Sequence, residues 1–122
     1  EDEVSVDVDK HDQDRINTFA SQNGEVKELQ AELKVKKEHL EELEDAIGAL
    51  YLSEDEKSSM MIGESIFILP RLDVIEKLEE MSDSTSAECN EIEEKISKIK
   101  QAQAELKVIL YAKFRNSINL EE

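Results

Sequence analysis

The chain has 122 residues, 31 of them acidic and 15 basic, for a net charge of −16; 39% are hydrophobic and only 4% aromatic. That balance fits long charged helices around a narrow apolar seam better than a compact globule. Charge of this sign repels phosphate backbones and anionic lipid surfaces, so neither nucleic acid nor membrane is an expected partner. An apolar run of the ~18 residues that cross a bilayer is missing, and the opening "EDEVSVDVDK" has neither the basic end nor the apolar core of a signal peptide. A soluble intracellular protein is therefore expected, with the lone Cys89 held in a reducing compartment. Residue 1 is Glu, which suggests that a few residues have been trimmed before it.

The first predicted element is a helix over about 9–52. At a seven-residue period it places Phe19, Val26, Leu33, Leu40 and Ile47 at one core position and Leu29, Lys36, Leu43 and Leu50 at the other. Gly24 and Gly48 are its weak points. A second helix is predicted over about 73–116, with Asp73 after Pro70 and three residues before Glu76 as its capped start. Its seam reads Ile75, Ser82, Cys89, Ile96, Gln103 and Leu110, alternating with Leu78, Thr85, Ile92, Ile99, Leu106 and Lys113. The Ser82 and Thr85 layer is polar enough to predict loose packing there.

Folding the chain back so that facing core numbers sum to about 125 sets Leu33 against Ile92, Val26 against Ile99 and Phe19 against Leu106. The polar exceptions then meet as well: Gln22 faces Gln103, and Asp12 faces Lys113. Lys36 faces Cys89 and is left without a partner. A parallel dimer would instead stack Lys36 on Lys36. The expected fold is thus mainly α, a long antiparallel two-helix coiled coil in one domain, with both termini at the end far from the central link.

Between the helices, "SMMIGESIFILP" reads as a β-hairpin over 58–69, turning at Gly63-Glu64. Ile66 and Ile68 point one way and Phe67 and Leu69 the other, so both faces are apolar. An isolated ribbon of that kind is marginal in water and its edges invite further strands. Met61, Ile62, Gly63, Ile66, Phe67, Ile68 and Leu69 are accordingly the candidate assembly residues.

Helix, single hairpin, helix resembles a β-class prefoldin subunit. The likeness is carried by "DQDRINTF" at Asp12–Phe19, "LEDA" at Leu43–Ala46, "IGESIFI" at Ile62–Ile68 and above all "LKVILYAKFRNSINLEE" at Leu106–Glu122. Glu76–Ala104 is ordinary coiled-coil sequence and adds little. The resemblance implies a hexamer of two α-class and four β-class subunits, whose hairpins join into intersubunit β-barrels and whose coiled coils project. It also implies capture of unfolded proteins, notably actin and tubulin, without ATP, and their delivery to the cytosolic ring chaperonin. The implied location is the cytoplasm, with a nuclear one left open. The residues agree on the nucleotide: only three Gly occur, and no Gly-rich phosphate loop.

Near the termini the apolar stripe drifts off the seam. Arg15 and Lys113 take core positions, with Ile16 and Phe114 beside them. Leu106, Leu110 and Phe114 run at spacing four and four, which relaxes left-handed supercoiling and predicts that the helices splay. With Phe19, Ile109, Ile118 and Leu120 they form the candidate client-binding patch, ringed by acid and reading no particular sequence. The plainer alternative is that these residues close the end of the coiled coil.

No other chemistry is expected: no catalytic residue, no metal and no cofactor. His11 and His39 read as solvated helix residues, because a di-metal helix motif needs Glu three residues before a His and Lys36 stands there. Cys89 reads as a small buried apolar group, and Met60 and Met61 as hairpin packing rather than a binding surface. A run such as "KVKKEHLEELED" is solvated helix face. Two other classes remain open: a structural coiled-coil tether, and an enzyme, for which so thin a fold offers little room.

Overall fold

The computed structural model describes residues 10–114. In chain order these form α1 (Lys10–Leu52), β1 (Lys57–Ile62), β2 (Ser65–Pro70) and α2 (Arg71–Phe114). Helix α1 runs unbroken through Gly24 and Gly48. Tertiary packing on an apolar stripe carries most of a helix's stability, so two dispersed glycines at a cost of about 1 kcal/mol each do not interrupt it.

Most of the predicted seam is buried or half-buried, while Lys113 is exposed and Val74 and Phe114 are buried from outside it. Phe19, Val26, Leu43, Val74, Ile75, Cys89, Ile92, Ile96, Leu110 and Phe114 are buried, together with Asp12, Thr85 and Gln103. Leu29, Leu33, Leu40, Ile47, Leu50, Leu78, Ile99 and Leu106 are half-buried. Thr85 is as well covered as its apolar neighbours, against the loose layer expected there. Its hydroxyl is small and its γ-methyl packs like that of Val, so one Thr does not open a seam.

Packing divides the chain into two compact units: Leu33–Glu91, which holds the hairpin, and Glu1–Glu32 with Ile92–Glu122, of which residues 10–32 and 92–114 are described. They are called here the hairpin unit and the terminal unit.

In the hairpin unit, β1 and β2 pair antiparallel, from Lys57 with Pro70 to Ile62 with Ser65. Gly63 has a φ of 64°, the left-handed conformation that the first central residue of a two-residue hairpin turn requires and that only Gly adopts without strain. Helix α2 begins at Arg71, immediately after the strand, two residues before the predicted Asp73 start. The reason lies in Arg71 itself. Its backbone N–H donates to the Glu56 carbonyl at 2.8 Å, its Nη1 to the Leu50 carbonyl at 2.9 Å and its Nε to the Asp55 carbonyl at 3.0 Å. Helix α1 has no basic residue in its last turn. Arg71 supplies a cation to the Leu50 carbonyl in the last turn of α1 and ties Asp55 of the link to the start of α2.

Candidate functional site

Strand periodicity sorts the hairpin into two faces. On one, Met61 is 66%, Ile66 67% and Ile68 72% exposed. On the other, Ser58, Met60 and Leu69 are half-buried, and Met60 and Ile62 line a shallow groove with Lys77, Glu80 and Met81 of α2. Both faces are apolar, as the alternation predicts, but they are not equivalent: one leans on its own helix and the other is open. Sequence reasoning missed the Met60–Met81 side of the groove, because nothing in a seam pattern marks the off-seam Met81. Phe67 and Ile62 remain 45% exposed even on the covered side. An apolar surface of this kind beside unpaired strand edges is suited to adding strands from another chain.

Near the hairpin, Tyr51 donates to Glu79 Oε2 at 2.9 Å. The hydrogen bond to Glu79, and then its negative charge, hold the Tyr51 phenol above its usual 10.0. Lys36, expected to lack a partner opposite Cys89, is paired: its Nζ reaches Glu88 Oε1 at 3.0 Å. A long flexible side chain at a seam position swings out to the neighbouring residue on the facing helix, leaving Cys89 buried and free of disulfide.

In the terminal unit, Phe19, Leu110 and Phe114 form a buried cluster with Ile16 and Leu106 packed against it. Leu110 is fully buried. This corrects the expectation that Phe114 lies beside the seam and that the four-and-four spacing lets the helices splay through this stretch. Large side chains at that spacing turn toward α1 and meet Phe19, and burying each contributes about 1.5–3 kcal/mol. Of the candidate client-binding residues, Phe19, Leu110 and Phe114 are buried, Ile16 and Leu106 half-buried and Ile109 exposed. Ile118 and Leu120 lie outside the described residues.

The polar layers show which facing pairs form. Asp12 is buried and its Oδ2 accepts from Lys113 Nζ, while its Oδ1 accepts from Arg15 Nη1 at 3.1 Å. A carboxylate withdrawn from water is thereby satisfied by two cations. Gln103, by contrast, does not meet Gln22. Its amide donates to Asn23 Oδ1 at 2.6 Å and to the Phe19 carbonyl at 3.3 Å. Both of its donors are then used. Gln22 Oε1 is buried without a hydrogen-bond partner, at a cost of about 1–3 kcal/mol.

Among the described residues no group of His, Cys, Asp and Glu is arranged to hold a metal ion, and no helix is long and apolar enough to cross a membrane.

Comparison with known proteins agrees with this architecture. The family described as "Prefoldin subunit" matches residues 13–117. The chain is 36% identical over 118 residues to human prefoldin subunit 4, covering 95% of this chain and 88% of the human protein. It is likewise 36% identical to the Bos taurus prefoldin subunit 4 over the same shares of each. Identity to the Saccharomyces cerevisiae prefoldin subunit 4 is 29%, over 96% of this chain and 92% of that protein.

Proposed function

Because the chain belongs to the prefoldin subunit family, a family of chaperone subunits, we propose that it acts as a β-class subunit of a heterohexameric, ATP-independent chaperone. In this reading the hairpin completes a β-barrel with strands of other α- and β-class subunits, through Met61, Ile62, Ile66, Phe67, Ile68 and Leu69. The terminal unit holds unfolded client segments, actin and tubulin among them, for delivery to the cytosolic ring chaperonin. The observation that carries the assembly half is the open hairpin face, whose three large apolar side chains, Met61, Ile66 and Ile68, stand mostly in solvent. Each costs free energy there until covered.

For capture, Ile109 is accessible and Ile16 and Leu106 form the rim of the buried cluster. Phe19, Leu110 and Phe114 contribute only where the helix ends open. Weak contacts of this sort gain from several subunits acting at once around one client.

The burial of Phe19, Leu110 and Phe114 also favours a second reading, a structural tether whose helix ends are simply closed. Aggregation of denatured actin, followed by light scattering with the assembled complex present, separates the two. Capture predicts suppression that weakens when Ile109 and Ile16 are both replaced by Ser. A tether predicts no suppression by the wild-type complex.

A further inference from the structure

The charges of the terminal unit are sorted by side. On α1, Ile16, Ala20, Asn23 and Lys27 recur at spacings of three and four and so share one flank. On α2, Lys100, Lys107 and Tyr111 do the same, with Val108 beside them. The bond from Gln103 to Asn23 joins these series on one side of the helix pair, because Gln103 lies one turn from both Lys100 and Lys107.

From Gln13 to Lys27 this flank of α1 carries no acid; on α2 one acid, Glu93, falls in line with it one heptad before Lys100, and Glu105 stands one turn before Val108. The helical period sends Asp14 and Glu25 of α1 to the opposite flank, where they mix with Lys95 and Lys98 of α2. In a chain of net charge −16, a side on which Lys27, Lys100 and Lys107 outnumber the one acid in line with them, Glu93, stands out. It is also apolar: Val108 is 70% and Tyr111 39% exposed. Lys107 is half-buried and Lys27 exposed.

We propose that this flank of the terminal unit binds unfolded segments in which acidic and apolar residues are mixed. The inference rests on the capture role proposed above and names the client class that role favours. Val108 and Tyr111 offer burial to apolar client side chains without disturbing the Phe19, Leu110 and Phe114 cluster. Lys27 and Lys107 offer opposite charge to client carboxylates, and the acids across the helix pair leave the other flank without that preference.

The test uses the complete hexamer carrying this chain and fluorescent peptides of equal length in which Leu alternates with Glu, Ser or Lys. The Leu/Glu peptide is expected to bind most tightly, less so as salt rises. The double variant Lys27→Glu with Lys107→Glu is expected to weaken Leu/Glu binding about three- to tenfold and to change Leu/Ser binding less than about twofold. Lys27→Glu alone, at an exposed helix position, gives a smaller loss of the same kind and guards against misfolding at Lys107. Lys98→Glu, on the other flank, changes neither.

Equal binding of all peptides by the wild type overturns the charge preference and leaves capture standing; absence of any peptide binding overturns capture itself. An RNA oligomer that displaces the Leu/Glu peptide through the same lysines reassigns the flank to nucleic acid. A doubled particle mass that reverts in the double variant reassigns it to the acidic side of a second copy.

Discussion

The hairpin unit and the terminal unit solve opposite problems with the same two helices. Residues 33–91 carry 16 acidic against 6 basic side chains, whereas residues 10–32 and 92–114 together carry 8 of each. The hairpin unit leaves Met61, Ile66 and Ile68 in solvent; the terminal unit buries Phe19, Leu110 and Phe114 against one another. Strong like charge opposes the meeting of two identical hairpin units, and so disfavours self-pairing of exposed strands. A near-neutral unit with a closed core does not need that protection. Among the described residues most of the exposed large apolar side chains therefore lie in the region where the charge is most one-sided, with Val108, Ile109 and Tyr111 of the terminal unit as the exceptions.

If this contrast is right, substitutions in the two units should fail in different assays. The largest effect is expected from Ile68→Asp on the open hairpin face: loss of incorporation into the complex in a pull-down, with the melting of the isolated chain changed by no more than about 0.5 kcal/mol. A large loss of stability in that variant would mean that the face is internally packed. Leu110→Ala should do the reverse, destabilising by about 2–5 kcal/mol. Hydrogen exchange should then rise in 10–23 and 106–114 while the hairpin amides keep their protection.

Arg71→Ala removes the cation from the Leu50 and Asp55 carbonyls, and about 1–3 kcal/mol of stability with it. Exchange at 50–57 should report that loss, and Arg71→Lys should restore little of it, because one ammonium cannot reproduce two guanidinium bonds to separate carbonyls. Gln22→Leu should stabilise the terminal unit by about 1 kcal/mol, since it removes a buried oxygen that has no partner. Unchanged or lower melting would show that Gln22 is satisfied in solution.

The smallest effect is a titration. Glu79 raises the Tyr51 pKa above 10.0, so the contribution of this contact is fully present below the unfolded phenol's pKa and is lost as pH rises through the higher folded value. The ultraviolet difference between wild type and Tyr51→Phe should show a midpoint above 10.0 that falls in Glu79→Gln.

The seam was legible because a seven-residue repeat of apolar side chains needs no partner sequence to be read. Gly63 was legible for a similar reason, since a two-residue turn between apolar runs has few solutions. The antiparallel register predicted the Asp12–Lys113 contact but misassigned Gln103, whose amide reaches Asn23 and a backbone carbonyl. Numbers that sum to a constant locate facing backbones; they do not say which acceptor a flexible amide chooses.

Phe114 was misread for a related reason. A strict repeat puts Lys113 in the seam, whereas Lys113 is exposed and still reaches Asp12, and the Phe114 ring is the buried one. Arg71 was invisible because its partners are backbone carbonyls, which leave no trace in the residue pattern. The exposed pair Val108 and Tyr111 could have been found by asking which apolar residues recur at spacing three away from the seam.

The most direct test of the division of labour is the native mass of this chain, tagged and gently purified from its own cells, with its companions identified. The account predicts one discrete particle of six small helical chains that disappears when Ile68→Asp replaces the wild type and persists with Lys98→Glu. A wild-type monomer, or a particle built with large unrelated proteins, would contradict it.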